Sequence, residues 1–446
     1  MDSIGNLAIA PIQSWDAVVC TSRAVKATYE TVLELWEDYL RHRLGATHLP
    51  RPQLPIIPLG VDTCGITPAT PESRQRWRQR LSCSEDAFVV LWMGRFNHAA
   101  KAHPIPMFLA LEQLAQNLNQ PVVYLQAGWF PNDTTRDAFM DAARRWAPRV
   151  KHLFVDGRSA EVREQIWHAA DVFCSLSDNL QETFGLTPIE AMAAGLPVVV
   201  SDWNGYRDTV RHGVDGFLIP TSMPAAGTAS GDAFAHGTCA QTISFGHYCA
   251  VTAQTVAVDL VETVKALESL ARSPELRRRM AVAGRDHACG QFSWEVVIGE
   301  YRSLLIELGE RRRAAADHHP ELVQPPVNPA PLRGDPYAVF ASYPTATITV
   351  DSDLKLSPEW SGLSAAEQGK RLQALQDDCL HSFARGWRLS HEETVKLLTL
   401  IAQGQVLTID SAARQLPIEP GQSKFRLLMG TVNWLIKLGI LHGSTS

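Results

Sequence analysis

Between Val172 and Ser201 the chain reads as strand, polar loop, glycine turn, helix and second strand, an order that admits little besides an α/β fold. Val172-Phe173-Cys174-Ser175 is a short apolar strand, and Ser177-Asp178-Asn179 is polar loop. Thr187 is a good helix cap, and Pro188 suits a first helical position, where a missing N–H costs nothing. Gly195 supplies a C-terminal stop, Pro197 prevents continuation, and Pro197–Ser201 reads as a buried strand.

Two carboxylates, Glu182 and Glu190, flank the glycine turn. Carboxylates accept hydrogen bonds from hydroxyls, and a helix start offers free N–H groups to an anion. The segment therefore suits a ligand that carries sugar hydroxyls and phosphates. The spacing leaves a structural alternative open. Thr187-Pro188-Ile189-Glu190 also matches a capping box, and Glu182 alone reads as a solvated loop carboxylate.

The complete run Glu182-Thr183-Phe184-Gly185-Leu186-Thr187-Pro188-Ile189-Glu190, continued by Gly195-Leu196-Pro197-Val198-Val199 and the loop through Gly205 to Gly216, resembles the donor-binding signature of the family-four (group 1) retaining glycosyltransferases. The resemblance extends from about Pro55 to about Leu308. It implies the Rossmann-like donor half of a GT-B fold, with Glu190 on the ribose and Glu182 on the transferred sugar. Backbone around Phe184, Gly185, Leu186 and Thr187 would hold sugar or phosphate. Upstream, the apolar strand Phe88–Met93 runs into Gly94-Arg95 and then Lys101. The family places an Arg and a Lys there to neutralise a diphosphate leaving group, so Gly94, Arg95 and Lys101 join the donor set, with Glu182, Arg95 and Lys101 as the catalytic candidates. Lys101 follows Arg95 by six residues and precedes Ala102, whereas the family's commoner pattern has five and Gly. Asp156 and Gly157, after the strand Lys151–Val155, are a candidate nucleobase contact or an ordinary turn, and Trp203 is a candidate lining residue. The resemblance implies no metal and no cofactor beyond the nucleotide-sugar donor. An Asp-x-Asp triplet, Asp351-Ser352-Asp353, reads as solvated loop. The absence of GxGxxG and Walker A strings argues against a dinucleotide dehydrogenase and a P-loop ATPase.

Hydrophobic content of 45%, charge of 20% and a net charge of −6 describe a globular chain without the basic balance of a nucleic-acid binder. No run of ~18 apolar residues suggests a membrane span, and the first residues lack the basic and apolar parts of a signal peptide. Eight cysteines without a Cys-x-x-Cys pair fit reduced thiols and a cytoplasmic location.

The expected organisation has four parts. Residues 1–63 form a remnant of an acceptor domain, with a strand from Trp15, a helix capped by Thr21 or Ser22 and a crossover at Leu54–Asp62. Such a domain needs ~150 residues to bury its core, so most of it is expected to be absent, leaving an apolar edge that favours self-association. Residues 64–313 are the donor domain, with an insertion at about 221–256 and closing helices over about 257–272, 274–289 and 292–313. Residues 314–345 are a Pro-rich linker marked by Pro320, Pro325, Pro326, Pro329, Pro331 and Pro336. Residues 346–446 are a mainly helical module, with a helix-turn-helix or winged-helix-like fold left open. It carries helices at 392–403, 410–416 (capped by Asp410) and 422–438. Its acidic and basic residues balance, which favours packing or protein-partner binding over DNA. The leading expectation is hexosyl transfer from a nucleoside-diphosphate sugar to a glycan, lipid or other acceptor, the short chain transferring poorly by itself. A sugar-nucleotide epimerase or phosphorylase, and a non-catalytic donor-binding or structural subunit, are the alternatives.

Overall fold

The structure is a computed structural model that describes residues 2–228, 230–318, 334–418 and 423–444. Its contacts divide the chain into residues 1–327 and 328–446.

The first unit is built on a six-stranded parallel sheet. Its strands are β1 (Phe88–Arg95), β2 (Val122–Trp129), β3 (Lys151–Asp156), β4 (Val172–Ser175), β5 (Val198–Ser201) and β6 (Gly216–Ile219). They are ordered β3-β2-β1-β4-β5-β6. This is the Rossmann-like α/β arrangement, and the strand order turns back between β1 and β4. The apolar runs are continuous because both faces are covered. Val89 and Leu91 enter one core with Ile189, Met192 and Phe292, while Phe88, Val90 and Trp92 enter the other with Phe108, Leu111 and Leu267.

An ion cluster pins the N-terminal ends of the strands. Asp171, just before β4, pairs with Arg74 (2.6 Å) and Arg78 (2.7 Å) of the Pro71–Arg80 helix and accepts a hydrogen bond from the Val89 amide (2.8 Å). Arg78 is fully buried and also donates to the Ala169, Glu85 and Ala87 carbonyls. At the far edge, buried Asp215 accepts from Arg211 (2.6 and 2.9 Å) and lies 2.8 Å from His287 Nδ1, tying the turn before β6 to the Pro274–Phe292 helix. Burial pushes the Asp215 carboxyl up, but the His287 and Arg211 hydrogen bonds outweigh it and hold it below the ordinary carboxylate value. A depressed carboxyl contributes stability above its unfolded pKa of ~3.9 and loses it as pH falls through the lower folded value. Asp215→Ala should therefore cost ~1.5–3 kcal/mol at pH 7. In pH-dependent denaturation the gap to wild type should stay constant down to the carboxylate range and close below it.

The N-terminal part departs from expectation. Ser22 caps the long Arg23–Leu44 helix as expected, accepting from the Val25 amide. The expected strand from Trp15 is present only as isolated parallel bridges, Ala17 to Gln53 and Cys20 to Ile56, outside the six-stranded sheet. Two lone extended segments bond each other, and neither reaches a sheet partner among the described residues.

The insertion is more ordered than its composition suggests. It holds two short helices, Gly231–Cys239 and Phe245–Ala253, and begins and ends at an antiparallel pair, Thr221–Ser222 with Ala257–Val258. The closing helices are Leu260–Arg272, Pro274–Phe292 and Trp294–His318. Of the linker prolines, Pro320, Pro325, Pro326, Pro329 and Pro331 lie outside the described residues, and Pro336 begins a short helix.

The second unit has its own core, with Leu397, Leu398, Ile401, Leu428, Val432 and Leu435 at its centre. Helices His391–Ala402, Ile409–Gln415 and Ser423–Lys437 are joined by an antiparallel pair, Asp353–Leu356 with Leu441–Ser444. Thr408, not Asp410, caps the middle helix: its Oγ1 accepts from the Ser411 amide, while Asp410 pairs with Arg414 one turn on. Asp353 starts a strand instead of lying in a free loop. No helix among the described residues is long and apolar enough to cross a membrane.

Candidate functional site

Open α/β sheets bind ligands outside the carboxyl ends of their strands, where the strand order reverses. Here that place lies between the ends of β1 and β4, and a cavity of about 340 Å³ occupies it. Trp92, Met93 and Gly94 reach it from β1, Ser175 from β4, and Ser177 and Gln181 to Thr187 from the following loop and helix start. Lys101 enters from the loop after β1, and Leu59 and Tyr206 complete the wall.

The helix start differs from the sequence reading. The helix is Leu186–Ala193, and Gly185 precedes it in the left-handed region (φ +91°) without a side-chain cap. Thr187 and Pro188 are therefore second and third in the helix, and Thr187 is not the cap. A Cβ on residue 185 would sit 2.0 Å from the Tyr206 ring, so the turn needs glycine there. Tyr206 is held in place by its hydroxyl, 3.0 Å from Ser175 Oγ. Two consequences follow. The first helical amides carry no side-chain cap, which leaves a place for an anion. Glu190 is the fifth helical residue, too far along to close a capping box, so the structural alternative falls.

Lys101 Nζ stands 3.4 Å from Glu182 Oε2, both at the cavity. The Glu182 side chain is 14% exposed and that of Lys101 35%, so the pair is half withdrawn from water yet reachable. Gly94, Phe184, Gly185, Leu186 and Thr187 join it in the lining. Arg95 and Glu190 do not line this cavity. The Arg95 side chain is exposed at the end of β1. Glu190 lies one helical turn beyond Leu186 on the same face, half-buried, and burial raises its carboxyl above the ordinary value. Trp203 is not a lining residue: its indole N–H donates to the Asn179 carbonyl (3.0 Å), propping the loop from behind. No residue of the insertion lines the cavity.

Sequence reasoning missed Tyr206, Ser175, Ser177, Gln181 and Leu59. Tyr206 follows Gly205 in the glycine-rich loop, the one signal that pointed its way. A second cavity of about 400 Å³ opens at the ends of β2 and β3, lined by Trp129, Phe130, Asn132, Phe154, Asp156 and Arg158 among others. Asp156 is there as a candidate base contact, ion-paired to Arg158 (2.7 Å). Among the described residues no group of three or more His, Cys, Asp or Glu side chains is placed to hold a metal ion.

Residues 73–230 match the family model described as "Glycosyl transferases group 1". A D-inositol 3-phosphate glycosyltransferase from Geodermatophilus obscurus is 33% identical over 176 residues, which is 38% of this chain and 37% of that protein. Another of that description, from Actinosynnema mirum, is 28% identical over 262 residues, 58% of this chain and 52% of that one. Among solved structures, Anabaena Alr3699/HepE in complex with UDP-glucose is 19% identical with a TM-score of 0.43, over 67% of this chain and 64% of that one. The chain spans about half or less of the length of the first curated relatives it matches.

Proposed function

We propose, from the premise that the chain carries a group 1 glycosyltransferase domain over residues 73–230, that it binds a nucleoside-diphosphate sugar and transfers the hexosyl group to a glycan or lipid acceptor. The observation that carries this reading is the cavity at the strand-order reversal, where a lysine and a carboxylate meet beside an uncapped helix start.

Each group has a task that its chemistry suits. The Leu186 and Thr187 amides and the Lys101 ammonium present positive charge to a diphosphate. Glu182 accepts from sugar hydroxyls and holds Lys101 in reach while the site is empty. As the sugar leaves, negative charge grows on the diphosphate, and a fixed cation lowers that barrier without reorganising. Glu190 is placed for ribose hydroxyls, one turn along the helix. Arg95, exposed on the same strand end, is a secondary phosphate contact. The cavity at Asp156 takes the base.

Calorimetry with UDP, GDP and ADP tests the reading; absence of binding to all three would refute it. Glu190→Ala should lose ~1–3 kcal/mol of that binding, the range for a hydrogen bond to a charged group. Its effect on stability should run the other way. A carboxyl raised by burial costs nothing below its unfolded pKa of ~4.3 and more as pH rises towards the folded value. Glu190→Gln should therefore be neutral to stabilising, increasingly so from pH 4 to pH 7. A clear loss of stability at pH 7 would restore Glu190 to a structural role.

A further inference from the structure

Lys101 is only as well placed as its loop, and the loop has little structure of its own. Asn97 Oδ1 accepts from the Ala99 (3.0 Å) and Ala100 (3.1 Å) amides, and the Lys101 amide donates to the Asn97 carbonyl (2.9 Å). Besides the Lys101–Glu182 pair, the hydrogen bonds that reach it from outside come from three consecutive residues just past β4. Ser177 Oγ donates to the Lys101 carbonyl (3.3 Å), Asp178 Oδ2 accepts from the His103 amide (3.2 Å), and Asn179 Nδ2 donates to the Ala99 carbonyl (2.8 Å). The triplet is itself fixed from behind. Ser201 Oγ donates to the Ser177 carbonyl (2.6 Å), and Trp203 donates to the Asn179 carbonyl.

We propose that Asp178 is a positioning residue of the donor site: at the centre of the Ser177-Asp178-Asn179 clamp, it locks the Ala99–His103 loop so that the Lys101 ammonium stands against Glu182. The inference rests on the glycosyl-donor reading for what Lys101 does, but not for the clamp itself.

Three observations single out Asp178. It is only 4% exposed, although it is a carboxylate, and carboxylates are almost never buried without a specific partner. Its one bond goes to the His103 amide, which precedes the Pro104–Asn117 helix; that helix starts at a proline and receives no side-chain cap from His103. Its other oxygen is buried with no hydrogen-bond partner, a costly arrangement. Asp178 does not line the cavity; its neighbour Ser177 does, and so does Lys101. Asp178 thus reaches the ligand only through the loop it holds. A misplacement of ~1 Å in a group that contacts the reacting centre costs on the order of 10²-fold in rate, which gives the clamp its purpose.

Two measurements on the full chain test this. Hydrogen exchange on the ligand-free protein reads the clamp directly. Asp178→Ala should speed exchange of the Ala99–His103 amides ~10-fold or more, with β1 and β4 unchanged, and Asp178→Asn, which keeps an oxygen for the His103 amide, should restore protection. Unchanged loop exchange in Asp178→Ala would overturn the proposal, and so would exchange speeded throughout β1 and β4. The second is a double-mutant cycle on nucleoside-diphosphate affinity. Asp178→Ala should weaken binding ~10-fold in the wild type and add nothing once Lys101→Ala is present. Fully additive losses would show that Asp178 does not act through Lys101. If the wild type binds none of UDP, GDP and ADP, the donor reading fails alone, and hydrogen exchange still decides the clamp.

Discussion

Asp171→Ala is expected to cost the first unit about 3–5 kcal/mol, the loss typical of breaking a buried ion pair from one side. Asp171 is 7% exposed and Arg78 not at all, so the arginine left behind cannot recover its hydration. Its bonds to the Ala169, Glu85 and Ala87 carbonyls persist, but no countercharge does. Arg74, at 33% exposure, can turn to water and contributes less to the loss. The Val89 amide also loses its acceptor at the start of β1. Asp171→Asn keeps an oxygen for Val89 and one arginine and should cost about half as much. Native-state hydrogen exchange at β1 and β4 measures both. The cluster sits at the N-terminal ends of strands whose other ends carry the cavity, so nucleotide affinity per folded molecule should be unchanged. Equal stability of Asp171→Ala and wild type would mean that the Arg78 carbonyl bonds suffice by themselves.

The same contrast explains how much could be read from the sequence. β1, β4 and β5 were visible as unbroken apolar runs because both sheet faces are covered, and the helix from the Gly185 turn to the Gly195 stop was visible from its punctuation. Lys101 and Glu182 could both be named as donor-site residues because the resemblance gives each a place there, but their pairing with each other shows only in the structure. What stayed hidden was set at long range. The Thr187-Pro188 pair has the chemistry of a helix start, but the helix begins at Leu186, after a Gly185 turn that the Tyr206 ring holds to glycine. The contacts of Ser177, Asp178 and Asn179 with the Lys101 loop span 75 to 80 residues of chain. A polar Ser-Asp-Asn string otherwise reads as ordinary loop. The helices of the insertion were missed because small and polar residues around Gly231 and Gly246 carry little apolar periodicity. Asp410 lost the cap to Thr408 because both are good caps two positions apart, and only the backbone chooses.

Lys101→Ala should reduce turnover of a nucleotide-sugar donor by ~10²–10³, the range for removing one preorganised group that stabilises developing charge. Arg95→Ala should lose roughly tenfold or less, the value of an exposed ionic contact. The sequence makes both cations catalytic candidates, with Lys101 the one off the family's commoner spacing, whereas the structure favours Lys101. Lys101 lines the cavity beside Glu182, and Arg95 stands exposed outside it. Removing Lys101 also leaves Glu182, 14% exposed, as an unpaired negative charge where the proposed diphosphate would sit, so binding and rate should both fall. That repulsion makes a second variant informative. Glu182→Gln in the Lys101→Ala background should recover part of the nucleotide affinity while leaving turnover low, because the amide removes the repulsion but supplies no cation. Release of nucleoside diphosphate from a donor, followed in steady state alongside calorimetry, separates the two effects. A larger loss for Arg95→Ala than for Lys101→Ala would mean that the donor draws Arg95 inward, and that the bound site is organised around the strand end instead of the clamped loop.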